Sequence, residues 1–206
     1  MTPPRIPGRA HRTIHVTAIL FLSVLACAAC GNAAWHGTVL EPPLEVPVIA
    51  GVDHRGTPFD SGALAGRLQV VFFGYTFCPD FCPATLYAVT DALSVQSKSV
   101  QAEVDVLFVT VDPQRDNRGR LEAYVSQFHP SVRGIRLEEP EALAALTAGY
   151  GVYVDSGAES AGDDVYLVDH TTRVYVLNRE GHMALTYASD LQAEDLAADL
   201  KRLARQ

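Results

Sequence analysis

The sequence predicts an α/β domain, a central mixed sheet flanked by helices with a C-terminal β-hairpin. Three observations carry this. Two runs, Leu68 to Phe73 and Val104 to Val111, are apolar at nearly every position, as in strands covered on both faces. Between them, Ala84 to Gln96 repeats its apolar residues at helical spacing. Beyond residue 165 the order changes to three short strands and a final helix, with a turn sequence between the last two strands.

Taken in order, Ala33 to Pro47 holds Pro42, Pro43 and Pro47 with little periodicity and reads as a tether. Leu68 to Phe73 is the first buried strand. Leu86, Val89, Thr90 and Leu93 then form the inner face of a helix, and Val104 to Val111 closes a right-handed βαβ unit. A second helix is expected over Arg118 to Phe128, with Leu121, Tyr124, Val125 and Phe128 inward. Pro140 sits where a first helical residue would, and Glu141 to Tyr150 follows with Leu143 and Leu146 inward; Gly149 and Gly151 stop it. Gly157 to Asp163 is small and polar, an exposed loop. Val165 to Val168, Arg173 to Leu177 and His182 to Ala188 are strands, the last two joined by Asn178-Arg179-Glu180-Gly181. Leu191, Leu196, Leu200 and Leu203 make the inner stripe of the last helix. A βαβ half followed by a ββα half is the thioredoxin-like plan.

The 206 residues suffice for one sizeable core. The net charge of −8 argues against a nucleic-acid binder, since no basic run exists to neutralise phosphates. No long repeat is visible. The charges of the first thirty residues are Arg5, Arg9 and Arg12, followed by an apolar run from Val16 to Ala29 that is too short to span a bilayer. The run ends in Leu25-Ala26-Cys27-Ala28-Ala29-Cys30-Gly31, which resembles a bacterial lipoprotein signal with a lipidated cysteine. Cys30 is preferred and Cys27 is the alternative. The expected division is a signal over 1–30, a tether over 31–43 and a folded domain over 44–206. The domain is placed outside the cytoplasm, in the periplasm or at the cell surface, and held to the membrane by lipid.

Two cysteines remain, in Gly74-Tyr75-Thr76-Phe77-Cys78-Pro79-Asp80-Phe81-Cys82-Pro83. They follow the first buried strand, at the strand end where α/β folds place ligands. Each precedes a proline, which biases it away from helical backbone. Pro83 is therefore expected as the first helical residue, with Cys82 at the cap. A helix N-terminus favours thiolate. A purely structural disulfide is the competing reading, but so short a loop gains little from closure.

These residues resemble the CxxxC signature of the SCO/SenC family, thioredoxin-like copper carriers of cytochrome c oxidase assembly. Val109-Thr110-Val111-Asp112-Pro113-Gln114-Arg115-Asp116 and Val168-Asp169-His170-Thr171 agree in order and spacing. The resemblance covers about residues 44–206. It implies copper, as Cu(I) or Cu(II), on Cys78, Cys82 and His170. It also implies a role in loading the dinuclear centre of oxidase subunit II, with another copper carrier as a further partner. Two soft sulfurs and an imidazole suit copper and make a poor site for magnesium or calcium. Zinc is the chief competitor, but a structural zinc site normally takes four protein ligands. Cys78 and Cys82 are also near enough in sequence to form a reversible disulfide, and as a redox pair they would serve a thiol–disulfide reductase, the alternative function. A peroxiredoxin-like site fits poorly with the proline-flanked pair.

Phe77 stands where the family often has a polar residue, and Asn117-Arg118 replaces its usual Thr-Pro at a helix start. His36, His54, His129 and His182 are read as solvated or local structural residues. Asp80 is a turn former or a tuner of the site. Asp112 and Asp116 are expected to fix loops near the site rather than bind metal.

Overall fold

A computed structural model describes Thr2, residues 34–155 and residues 166–206. All its elements lie in the compact unit Trp35–Gln206. Residues 3–30 of the expected signal, including Cys27 and Cys30, and the expected loop 157–163 lie outside the described residues. No helix among the described residues is long and apolar enough to cross a membrane.

The strands are β1 (Thr38–Leu44), β2 (Ala50–Asp53), β3 (Pro58–Asp60), β4 (Leu68–Gly74), β5 (Val104–Thr110), β6 (Val132–Arg136), β7 (Val154–Asp155), β8 (Asp169–His170), β9 (Val174–Leu177) and β10 (Met183–Tyr187). The helices are α1 (Phe81–Ser94), α2 (Lys98–Ala102), α3 (Arg118–Val125), α4 (Pro140–Gly149) and α5 (Ala193–Leu203). Eight strands form one mixed sheet in the order β1-β10-β9-β4-β5-β6-β2-β3, and β7 pairs separately with β8. β4 runs parallel to β5 and antiparallel to β9. The order β10-β9-β4-β5, with its α1 crossover, is the thioredoxin-like core.

β4 and β5 are buried at every position, as their unbroken apolar runs require. α1 turns Leu86, Val89 and Leu93 onto the sheet, and α5 contributes Leu196, Leu200 and Leu203. The β9–β10 hairpin turns as expected: Gly181 has φ +80°, and the Asn178 side chain accepts from the backbone N–H of His182 at 2.9 Å. At the end of the sheet where β4 and β5 start, Arg179 pairs with Glu103 and donates to the carbonyls of Leu203 and Ala204.

Three expectations change. Thr38–Leu44, assigned to the tether, is strand β1 on β10, so the folded unit begins before Leu44. Its prolines hid it: Pro42 and Pro43 lack N–H groups, which an edge strand tolerates, and the register shifts between Val39 and Leu44. Buried Asp199 ties its start down, accepting from the backbone N–H groups of His36 and Gly37 at 3.0 and 2.9 Å and from the Tyr187 hydroxyl. The strand expected over Val165–Val168 is absent from residues 166–168, whose polar groups serve loop contacts instead; the pairing comes later, at β8. Finally, α3 stops at Val125, short of Phe128, where backbone N–H bonds shift to a tighter turn from Phe128 to Val125.

Candidate metal centre

The loop between β4 and α1 carries both cysteines. α1 starts at Phe81, so Cys82 and Pro83 lie inside its first turn rather than at the cap and first position expected. Proline is tolerated there because its missing N–H has no helical partner anyway. The earlier start makes the Cys82 N–H a free donor, and it points to Cys78 Sγ at 3.3 Å. Asp80, at the cap position, makes no side-chain cap bond, but its backbone N–H also supports the Cys78 sulfur. Cys82 lies fully buried beneath the loop and Cys78 is half-exposed; both are free thiols.

The two sulfurs differ sharply in acidity. The Cys82 thiol donates toward Cys78, and with the two backbone N–H groups it outweighs burial; the Cys78 pKa falls to about 4. The Cys82 pKa moves strongly upward, first because of its bond to Cys78 and then because of burial. The pair therefore carries one negative charge, on the outer sulfur.

His170 arrives on β8. That two-residue strand is held by pairing of Val154 with His170 and Asp155 with Asp169, by the Thr171 N–H to the Tyr153 carbonyl, and by the Tyr153 N–H to the Thr171 hydroxyl, both at 3.0 Å. Its Nε2 lies 3.6 Å from Cys82 Sγ. Nδ1 lies 3.0 Å from the Thr171 carbonyl, a contact that requires the proton on Nδ1 and leaves the Nε2 lone pair toward the sulfurs. Tyr75 packs edge-on against the imidazole at 5.8 Å between ring centres. The three donors lie side by side, the Cys82 N–H on Cys78 Sγ and His170 Nε2 beside Cys82 Sγ; among the described residues no three His, Cys, Asp or Glu side chains already surround a common metal position.

The supporting shell is built from buried acids. Asp116 is fully buried and accepts from the Thr76 N–H at 3.0 Å, the Thr76 hydroxyl at 2.5 Å and the Thr110 hydroxyl at 2.6 Å. Burial raises its pKa, and the threonine bonds oppose that rise. It thereby pins the loop two residues ahead of Cys78 to the end of β5. Asp112 pairs with Arg115 and accepts from the Tyr166 hydroxyl at 2.8 Å. Both acids fix loops, as expected. Gly74 gives the inner sulfur room: a Cβ there would lie 3.0 Å from Cys82 Sγ and 2.7 Å from the Phe108 ring.

The other candidates fall elsewhere. Buried His54 accepts from the Gly134 N–H at 3.2 Å, and burial lowers its pKa. His129 bonds Ser131 locally, His36 pairs with Asp195 at 2.8 Å, and His182 follows the hairpin turn. Asn117 caps α3 through its bond from the Arg120 N–H at 3.1 Å, so the departure at 117–118 is a change of cap. Phe77 takes the guanidinium carbons of Arg115 and Arg120 at 4.6 and 4.1 Å from its ring centre. Sequence reasoning missed Arg115, Tyr75 and Tyr166. Arg115 was in view within the Val109–Asp116 motif, but only its acids were read.

A family model described as SCO1/SenC matches residues 49–205. The chain belongs to the SCO1/SenC family. It is 31% identical over 156 residues to the mitochondrial SCO2 homolog of Mus musculus, across 73% of this chain and 59% of that protein. The human counterpart is 30% identical over 152 residues, across 73% of this chain and 56% of that protein. The chain thus spans less than two thirds of the length of these mammalian relatives. Among solved structures, apo Sco1 from Thermus thermophilus is 35% identical with a TM-score of 0.74, covering 84% of this chain and 99% of that one. Bradyrhizobium japonicum ScoI, solved with copper bound, is 30% identical with a TM-score of 0.69, covering 77% of this chain and 98% of that one.

Proposed function

We propose that this SCO1/SenC protein is an exported copper carrier that loads the dinuclear copper centre of cytochrome c oxidase subunit II. Its cargo would be held by Cys78, Cys82 and His170. The observation that carries the reading is the donor set itself: an outer thiolate, an inner thiol and an imidazole with Nε2 free, at one sheet end. Soft sulfur donors select Cu(I), and the harder imidazole adds most to Cu(II). An incomplete set of three protein donors suits a metal that is handed on. The similarity to a ScoI solved with copper supports the same assignment. A lipid on Cys30, or on Cys27, would hold the carrier at the membrane, and another copper carrier would supply it.

The asymmetry of the two sulfurs favours a second reading, a thiol–disulfide reductase that keeps the oxidase's ligand cysteines reduced. Cys78 would attack as thiolate, and Cys82 would resolve the mixed disulfide by forming the Cys78–Cys82 bridge. Only the carrier needs His170. The deciding experiment compares His170→Ala with Cys78→Ser and Cys82→Ser, reading copper uptake and oxidase copper-centre assembly in cells. Each cysteine variant should lose both metal states. His170→Ala should weaken Cu(II) more than Cu(I) and impair assembly. Normal assembly with His170→Ala, against failure of the cysteine variants, would replace the carrier with the reductase.

A further inference from the structure

Both ligand-bearing loops meet on one side chain that coordinates nothing. Arg115 lies in the β5–α3 loop with its side chain 11% exposed. Its Nε pairs with Asp112, and its Nη1 donates to the backbone carbonyl of Tyr166 at 2.7 Å. Its guanidinium carbon sits 3.4 Å from the centre of the Tyr166 ring, 4.6 Å from that of Phe77 and 5.8 Å from that of Tyr75. Tyr166 is four residues ahead of His170, and Phe77 immediately precedes Cys78. Tyr75 closes the circuit by packing against the His170 ring. Residues 166–168 belong to neither sheet, so their hold on the domain comes from such contacts rather than from a ladder. Asp112 reinforces it by accepting from the Tyr166 hydroxyl as well.

We propose that Arg115 is the positioning residue for His170, clamping the segment that delivers the imidazole onto the loop that holds the cysteines. The fork and the flat stacking face are both used, and lysine supplies neither. Cation–π contacts gain strength in such desolvated settings.

The test uses reduced full-length protein carrying Arg115→Lys, which keeps a cation beside Asp112. In the metal-free protein, imidazole nitrogen NMR should show His170 as the Nδ1–H tautomer in the wild type and a tautomer mixture in the variant. The metal measurements rest on the carrier reading. There, Arg115→Lys should weaken Cu(II) about 10- to 100-fold and alter its absorption and EPR spectra, while Cu(I) uptake is kept. In a His170→Ala background, Arg115→Lys should add no further Cu(II) loss. Unchanged His170 resonances overturn the proposal, as does equal loss of Cu(I) and Cu(II), or a full second loss in the double variant. If Arg115→Lys fails to fold, Tyr166→Leu removes the stacking face while leaving the Asp112–Arg115 pair, and the same outcomes apply. A wild type that takes up no copper overturns the carrier reading, and the NMR comparison still decides Arg115.

Discussion

The single negative charge of the cysteine pair has consequences that can be measured residue by residue. Because the Cys78 pKa falls to about 4, its alkylation by a small reagent should depend little on pH above 6 and fall off as pH approaches 4. Cys82, buried and pushed toward the thiol, should stay unmodified until the domain unfolds. Mass mapping of the modified residues checks both. The linkage sign follows. The folded Cys78 pKa is depressed, so its contribution to stability is complete above the ordinary thiol value of 9.0 and is lost as pH falls toward about 4. Cys82 is shifted the other way and costs stability only above that ordinary value. The reduced domain should therefore gain stability between pH 5 and 8 through this pair, and Cys78→Ser should remove that gain in denaturant midpoints. Loading with Cu(I) at pH 7 should release about one proton rather than two, from Cys82, since metal-binding thiols must be deprotonated; a weakly buffered titration reads it.

Among the elements, β4 and α1 are bound together at one crowded point. Gly74→Ala would place a methyl group against the Phe108 ring and the Cys82 sulfur. Overpacking of this kind costs about 1–3 kcal/mol, and here it should also displace the inner sulfur, visible on the carrier reading as a changed Cu(II) spectrum beside a lowered melting temperature. The strands and helices that bury an apolar face were legible in the sequence because burial leaves a pattern. α1 and α5 carry a period; β4 and β5 show instead as unbroken apolar runs, and the β9–β10 hairpin is marked by its turn residues. The Cys78–Cys82 spacing and the histidine after Val168-Asp169 were legible as motifs. β8 was not: it is two residues long, and much of its hold comes from Thr171 and the backbone of Tyr153, which leave no periodic trace. The start of α1 was misplaced by two residues because the bias of a pre-proline residue yields when its N–H has a sulfur to meet. The role of Arg115 could not be read, since its contacts reach Tyr75 and Tyr166, some forty and fifty residues away in opposite directions.

At the scale of the whole molecule, β1 completes an outer edge of the sheet and, through Asp199, fastens it to α5. A shortened chain starting at Leu44, the boundary expected from the sequence, would bare β10 as a sheet edge and strip Asp199 of two donors. It should melt earlier and self-associate in gel filtration, as unpaired edges do; a chain starting at Trp35 should do neither. The bracket formed by Arg179 bears on how the protein can be handled. It holds Leu203 and Ala204 at the sheet end where β4 begins, whereas the cysteines follow the end where β4 finishes. Seven strand residues separate those ends, a distance of about 23 Å at 3.3 Å per residue. A linker joined behind Gln206 therefore departs from the far end of the sheet, and a surface that grips the domain there leaves the outer sulfur, Cys78, open to the solution.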